Sequence, residues 1–261
     1  MPNQHRRSTV SSAGAPEPPA DLGPAGDLGP QGVGHEHGDV AGWLRPAVFG
    51  ALDGLVSNFA LIAGVVGGTQ GDHSGEVVLA GLAGLAAGAL SMAAGEYTSV
   101  ASQAEHTEAE IEVERREIAA QPQAEEAELA QMYADRGIEP SLASAVAAQV
   151  HADPELALAV HTREELGVDP DNLPSPVVAA VSSLGSFGVG ASLPLLPYLL
   201  GAHTLLPALV VSLLALFACG AVVSTITTRS WVFGGVRQLV LGGAAAGLTY
   251  LIGELVGTAV G

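Results

Sequence analysis

The stretch GALSMAAGEYTSVASQAEHTEAEIEVERREIAAQP, residues 88–122, begins as an apolar run of small residues and ends as a run of glutamates. Neither glycine nor proline occurs between residues 99 and 121, so a single helix is expected to continue from the apolar part into the acidic part. Pro122 should end this helix, because proline cannot continue the hydrogen bonding of a helix interior. The pattern predicts a membrane helix that extends into water as an acidic helix.

Four further apolar stretches accompany this one, and all five are long enough to cross about 30 Å of hydrocarbon at about 1.5 Å per residue. They occupy residues 46–68, 76–100, 177–199, 204–226 and 234–256. Their content of glycine, alanine and serine favours close packing of membrane helices. We therefore expect an all-α membrane protein with five transmembrane helices, two within residues 41–100 and three within residues 177–261.

Residues 101–176 form an acidic insert between the second and third predicted spans. They hold 17 of the chain's 27 acidic residues against four arginines, a local net charge of −13. Such a charge argues against nucleic acid as a partner and favours cations. After the first acidic helix, further helices are expected over residues 124–136, after Pro140, and from Asp153 and Pro154 to Glu165. Gly137 and Gly167 supply helix stops.

Residues 1–40 are rich in proline, glycine, alanine and aspartate and show no apolar period. A segment of this composition cannot bury enough apolar surface to fold, so a disordered N-terminal tail is predicted. The single cysteine, Cys219, lies in an apolar run and offers neither a disulfide nor a thiolate cluster. Any metal site must therefore rely on oxygen or nitrogen ligands rather than on thiolates.

The arginines set the orientation, since the chain contains no lysine. They lie before the first span, between the second and third, and between the fourth and fifth: Arg6, Arg7, Arg45, Arg115, Arg116, Arg136, Arg163, Arg229 and Arg237. All of them fall on one side of the membrane, which the positive-inside rule assigns to the cytoplasm. We expect a multi-pass protein of a bacterial inner membrane, with the N-terminus and the insert in the cytoplasm and the C-terminus outside.

Three pairs of potential metal ligands in the insert share helix faces, because their members are three or four residues apart. The pairs are Glu114 with Glu117, Glu125 with Glu128, and His161 with Glu165. If the helices on either side of Pro122 pack antiparallel, the glutamate pairs face each other and the last helix adds an imidazole and a carboxylate. Oxygen ligands with one imidazole suit Fe(II), Mn(II) or Zn(II), and an all-oxygen subset also takes Mg(II) or Ca(II). The alternative is an ordinary solvated acidic helix face.

Ionisable side chains inside the predicted spans are costly in hydrocarbon and call for a role. Asp53 lies a turn or two into the first span, and Glu96 lies toward the cytoplasmic end of the second. Met92 precedes Glu96 by one turn on the same face, and its thioether is a weak ligand for a partly dehydrated Fe(II). We predict that these three residues line a membrane path, although a packing role for Met92 remains open.

Four segments of the chain resemble the vacuolar iron transporter family. They are DGLVSNFALIAG (53–64), GALSMAAGEYTSVASQAE (88–105), GASLPLLPYLL (190–200) and GGVRQLVLGGAAAGLTYLIGELVG (234–257), and the resemblance extends over residues 43–257. It implies five membrane helices, a cytoplasmic helical metal-binding domain between the second and third, and a homodimer with the transport path at the subunit interface. It also implies export of ferrous iron or manganese from the cytosol, coupled to protons.

The resemblance also carries over to individual residues. Asp53 and Met92 match the family's membrane path, Glu96 stands in the matching GEY element, and the soluble-domain carboxylates match Glu114, Glu117, Glu125, Glu128 and Glu165. Two positions depart from the family pattern. His161 stands where plant and protist members have methionine, and Thr162 stands where some members have another potential ligand. The departures leave the metal preference open among Fe(II), Mn(II) and Zn(II).

These observations favour a proton-coupled exporter of divalent metal, with Fe(II) as transported ion and no prosthetic group. A membrane-anchored metal buffer or sensor that transports nothing is the alternative. An intramembrane enzyme is less consistent with the sequence, since the chain contains no nucleophile arrangement, phosphate-binding loop or cofactor fingerprint.

Overall fold

A computed structural model describes residues 37–69, 74–226 and 229–260, and within these ranges the chain is helical with no β-strand. The helices are α1 (His37–Gly68), α2 (Ser74–Ala120), α3 (Pro122–Asp135), α4 (Pro140–Val150), α5 (Pro154–His161), α6 (Pro176–Leu199), α7 (Leu205–Ile226) and α8 (Trp231–Val260). Most of the predicted tail lies outside the described residues. Its last four residues are the exception, since residues 37–40 form the start of α1 rather than irregular chain.

Five of these helices, α1, α2, α6, α7 and α8, are long and apolar enough to cross a membrane, as predicted. The last begins at Trp231 and continues to Val260, so it is longer than the apolar stretch of residues 234–256. Helix α2 continues without a break over 47 residues, about 70 Å, and ends at Ala120 before Pro122. The expectation of one continuous helix from the apolar span into the acidic insert is confirmed.

Helix α1 forms the centre of the membrane bundle and packs against α6 and α8 at close range. Gly190 of α6 lies so near the Ala51 carbonyl that a side chain at this position has no room. Within this contact the buried Asn58 amide donates a 2.6 Å hydrogen bond to the Ala191 carbonyl. On the opposite side, the Thr249 hydroxyl of α8 donates a 2.7 Å hydrogen bond to the Ala60 carbonyl. Small residues therefore bring the backbones close enough for interhelical hydrogen bonds.

The first turns of α1 and α6 and the point where α2 leaves the membrane bundle lie at one end of the molecule. Arg45, Glu96, Gln103, Pro174 and Val178 line a common cavity of about 340 Å³ there. The acidic insert follows α2 directly and returns to α6, so it begins and ends at this same end. The Arg45 side of the bundle is thus also the insert side, as the arginine pattern predicts.

The insert folds on the extension of α2. Helix α5 packs on α2 through a small core in which Ala157 and Leu158 contact Ile118. The Asp153 carboxylate caps α5 by accepting hydrogen bonds from the backbone N–H groups of Glu155 and Leu156. The predicted α-helix to Glu165 is wrong in its last turn, because Thr162–Leu166 forms a π-helical turn before Gly167 ends it at φ +68°.

Candidate metal centre

The cluster of potential metal ligands in the described part of the chain consists of Glu114, Glu125 and His161. One ligand atom of each residue lies within 4.8 Å of those of the other two, and the residues come from α2, α3 and α5. Because the chain reverses direction at Gln121 and Pro122, Glu125 returns to the side of Glu114. The packing of α5 on α2 then places His161 beside both carboxylates.

The centre of this cluster is buried. The His161 side chain is 0% exposed, and its Nδ1 lies 3.1 Å from Glu114 Oε1 and 2.8 Å from Glu165 Oε1. Only the Glu165 contact has hydrogen-bond geometry, so Glu114 Oε1 is a buried oxygen that has no hydrogen-bond partner among the described residues. Buried polar atoms are rarely left in this state without a ligand or a functional reason.

The remaining insert residues predicted from spacing form the rim. Glu117 and Glu128 are exposed, yet their charges act on the buried carboxylates: Glu117 on both, and Glu128 on Glu125. Glu165 reaches the centre through its hydrogen bond with His161. The structure therefore brings all six of these residues to one place, three in the buried centre and three at its edge.

Crowded carboxylates in a buried place resist ionisation. Burial, reinforced by the charges of Glu165, Glu125 and Glu117, raises the pKa of Glu114 to about 7, although the His161 charge acts in the opposite direction. Burial and the neighbouring Glu128 charge also raise the pKa of Glu125. A divalent cation would relieve this repulsion, because it adds positive charge among the carboxylates.

His151 belongs to this centre and does not stand out in the sequence. Its Nε2 lies 3.0 Å from Nε2 of His161, and the two rings meet edge to face. Burial and the nearby His161 lower the pKa of His151. The residue follows the last turn of α4, ten positions before His161, and only the packing of α4 and α5 brings the rings together. No helical spacing could have indicated this contact.

Thr162 lies in the π-helical turn directly after His161. It is 0% exposed, and its hydroxyl oxygen has no hydrogen-bond partner among the described residues. Turns of this kind occur frequently at functional sites because they redirect side chains relative to an α-helix. After Glu114 Oε1, the Thr162 hydroxyl is thus a second buried oxygen without a hydrogen-bond partner among the described residues, and it lies one residue along the chain from His161.

The three predicted membrane residues have different surroundings. Asp53 is exposed on α1, although it lies within a membrane-spanning helix. Met92 is half-buried and packs against the cluster of Ala89, Phe187 and Ala191. Glu96 lines the cavity at the insert end of the bundle. The single chain thus leaves Asp53 exposed, whereas Met92 and Glu96 are both partly buried.

Comparison with known proteins gives a match over most of the chain. The model of the VIT family matches residues 44–254. A vacuolar iron transporter from Acanthamoeba castellanii is 38% identical over 224 residues, which cover 83% of this chain and 79% of that protein.

Two proteins from Oryza sativa subsp. japonica are also similar to this chain. Vacuolar iron transporter homolog 5 is 33% identical over 256 residues, or 96% of this chain and 93% of the rice protein. Vacuolar iron transporter 1 is 31% identical over 218 residues, or 82% of this chain and 86% of the rice protein. The similarity includes both the membrane helices and the insert.

Proposed function

Because the chain belongs to the VIT family, we propose that it is a membrane carrier that exports a divalent metal ion, foremost ferrous iron, from the cytoplasm. Relatives of similar length are named vacuolar iron transporters. The observation that carries the proposal is the buried group of Glu114, Glu125 and His161. Two carboxylates and one imidazole suit Fe(II), and also Mn(II) and Zn(II).

The insert is the capture site in this proposal. Its exposed glutamates attract cations from the cytoplasm, and the rim residues Glu117, Glu128 and Glu165 pass them to the buried ligands. Binding requires ionised carboxylates, so metal entry is coupled to loss of the proton from Glu114, whose pKa is raised to about 7. The arrangement supports reversible capture rather than a chemical reaction, and no prosthetic group or catalytic residue is assigned.

The membrane path uses Asp53, Met92 and Glu96. Glu96 lies in the cavity near the base of the insert and receives the ion, Met92 supplies a soft contact, and Asp53 continues the path along α1. Carboxylates bind metal when ionised and release it when protonated. We therefore assign the exchange of metal for protons to Asp53 and Glu96.

A homodimer explains the exposure of Asp53. An ionised carboxylate facing lipid is costly, and membrane carboxylates normally face a protein interior or water. Helix α2 also leaves much of its surface uncovered by the same chain, including Ser91 and Gly95 next to Met92. A second copy across these faces of α1 and α2 would enclose Asp53 in a shared path.

The direction of transport rests on the arginines. Arg45, Arg115 and Arg136 lie on the insert side of the bundle, which the positive-inside rule assigns to the cytoplasm. The capture site then faces the cytoplasm, and the C-terminus lies outside. We propose a bacterial cell membrane as the location and outward movement of metal against inward movement of protons.

A membrane-anchored metal buffer or sensor is the alternative, and Asp53 separates it from a carrier. A buffer needs the insert but has no use for a carboxylate within a span. In vesicles, we expect Asp53→Asn to abolish Fe(II) flux while metal binding by the insert stays at the wild-type level. Thr225→Ala, an exposed polar residue on α7 and thus outside the faces of α1 and α2 assigned to the path, is the control and should transport normally.

The outcomes of this experiment are distinct once a dimeric, folded state has been verified for each variant. A folded Asp53→Asn protein that transports like the wild type would remove Asp53 from the mechanism. A wild-type protein that binds Fe(II) through its insert and gives no flux would favour the buffer.

A further inference from the structure

Both ring nitrogens of His161 face polar partners inside the buried centre. Nδ1 lies 2.8 Å from Glu165 Oε1 and 3.1 Å from Glu114 Oε1, and Nε2 lies 3.0 Å from His151 Nε2. The ring is 0% exposed, so water cannot take over a contact that is lost. The two sides of the ring therefore have different roles, one toward the carboxylates and one toward His151.

A neutral imidazole carries one proton, and it binds metal only through the nitrogen that lacks it. The carboxylates of Glu114 and Glu165 lie beside Nδ1, so a metal that His161 shares with them binds at Nδ1, which must then be free of its proton. The proton then resides on Nε2. A buried N–H needs an acceptor. Among the described residues, His151 Nε2 lies within hydrogen-bond distance of His161 Nε2 and can accept from it.

The backbone fixes His151 in the required position. It is the residue that ends α4, and its N–H donates a hydrogen bond to the Ala147 carbonyl. Its half-buried ring lines a cavity of about 350 Å³ with Ile118, Pro122 and Pro154, which leaves room for water beside the ring. His151 can therefore keep its own proton on Nδ1 and offer the Nε2 lone pair to His161.

We propose that His151 is a positioning residue of the metal centre: it accepts a hydrogen bond from Nε2–H of His161 and thereby holds the tautomer whose Nδ1 lone pair faces Glu114 and Glu165. The inference rests on the proposed function, because it assumes that the centre binds metal. Partners of this kind orient the ligand and increase its basicity. They are part of the site even though they do not touch the ion.

The opposite arrangement makes a different prediction. If His161 keeps its Nδ1 proton on Glu165, a metal bound at the histidines must use Nε2, and His151 becomes a direct ligand. The two arrangements differ in which nitrogen carries the metal. Nitrogen-15 NMR of histidine-labelled full-length protein loaded with Zn(II) distinguishes them, since protonated, bare and metal-bound ring nitrogens have different shifts. We expect the metal on Nδ1 and the proton on Nε2 of His161, and the reverse would overturn the proposal.

Substitutions test the same point by affinity. His151→Leu removes the acceptor, whereas His151→Gln places an amide oxygen near the former Nε2 position. We expect Zn(II) and Co(II) to bind the full-length Leu variant about 10- to 100-fold more weakly than the wild type, the usual effect of losing such a partner. The Gln variant should retain most of the affinity. His106→Leu removes an exposed imidazole elsewhere in the insert and should change nothing.

Each result has a defined meaning. Equal affinity of His151→Leu and wild type, or equal loss in the Leu and Gln variants, would refute the positioning role. A wild-type protein that binds neither Zn(II) nor Co(II) would instead refute the proposed function. If the Leu variant does not fold, the NMR result on the wild type decides the question.

Discussion

Glu114 combines a buried position with a carboxylate that must ionise to bind metal. Its pKa is raised to about 7 from an ordinary value of 4.5, chiefly by burial. Between these two values the folded protein holds a proton that the unfolded chain has released. The metal-free protein should therefore lose stability as the pH rises through this window, whereas metal affinity should increase over the same range.

The measurement is the thermal unfolding of full-length protein between pH 5 and pH 8, with and without Zn(II). In the Glu114→Gln variant, stability should fall less as the pH rises. Its Zn(II) affinity should be more than about 10-fold lower than that of the wild type, since about 10-fold is already the smallest loss typical of residues that only support a ligand. Glu108→Gln, an exposed acid on the same helix, is the control. Unchanged Zn(II) binding by the Glu114→Gln protein would show that these glutamates form an ordinary solvated acidic face.

At the level of single residues, the spacing predicts the clustered carboxylates and His161 but not His151. The spacing of three and four residues identifies which carboxylates share a face with Glu114, Glu125 and His161. It cannot show which of them are buried, because burial depends on how α3 and α5 pack on α2. His151 is missed for the same reason, since its partner is reached through tertiary packing rather than through a helical repeat.

Helix α5 carries His161, and its start depends on one side chain. The Asp153 carboxylate accepts hydrogen bonds from the N–H groups of Glu155 and Leu156. Asp153→Ala should destabilise the insert by about 1 kcal/mol, as is typical for loss of an N-cap. It should also weaken Zn(II) binding, because α5 holds His161 in its position in the cluster. Calorimetry and Zn(II) titration of the full-length protein measure both effects.

Asparagine separates the cap from the charge of Asp153. Asp153→Asn retains an oxygen that can cap the helix, so it should behave like the wild type. If Asp153→Ala leaves both stability and Zn(II) binding unchanged, α5 does not depend on this cap. A similar loss in the Asn variant would point to the charge rather than to the hydrogen bonds.

The bounds of the helices are largely predictable from the prolines and glycines that interrupt helices. Pro122, Gly137 and Gly167 mark boundaries in the sequence, and the structure has helix ends at or within a few residues of each of them. The exceptions have physical reasons. Helix α1 accommodates Pro46 in an early turn and starts at His37, and the π-helical turn after His161 has no sequence signature that would separate it from an α-helix.

For the molecule as a whole, the one-sided arginines predict the orientation, and labelling can test this prediction. In a Cys219→Ala background, Thr204→Cys lies in the connection between α6 and α7, and Ala145→Cys lies on an exposed face of α4. The first should react with a membrane-impermeant maleimide in intact cells. The second should react only after the cells are opened.

Both probe positions are chosen from the structure. Ala143, two residues before Ala145, is 0% exposed and would not label from either side, and Gly201 has φ +94°, which disfavours cysteine. Labelling of Ala145→Cys from outside intact cells would reverse the orientation and the direction of transport with it.

The central claim is that the chain moves Fe(II) across a membrane in exchange for protons. Purified full-length protein in vesicles loaded with an Fe(II)-sensitive and a pH-sensitive dye tests it directly, under anaerobic conditions and with an imposed pH gradient. We expect Fe(II) to enter faster than in protein-free vesicles, an acidic lumen to accelerate its entry, and the lumen to become more alkaline as Fe(II) accumulates. Fe(II) entry no faster than in protein-free vesicles, by a protein whose insert binds the ion, would contradict it.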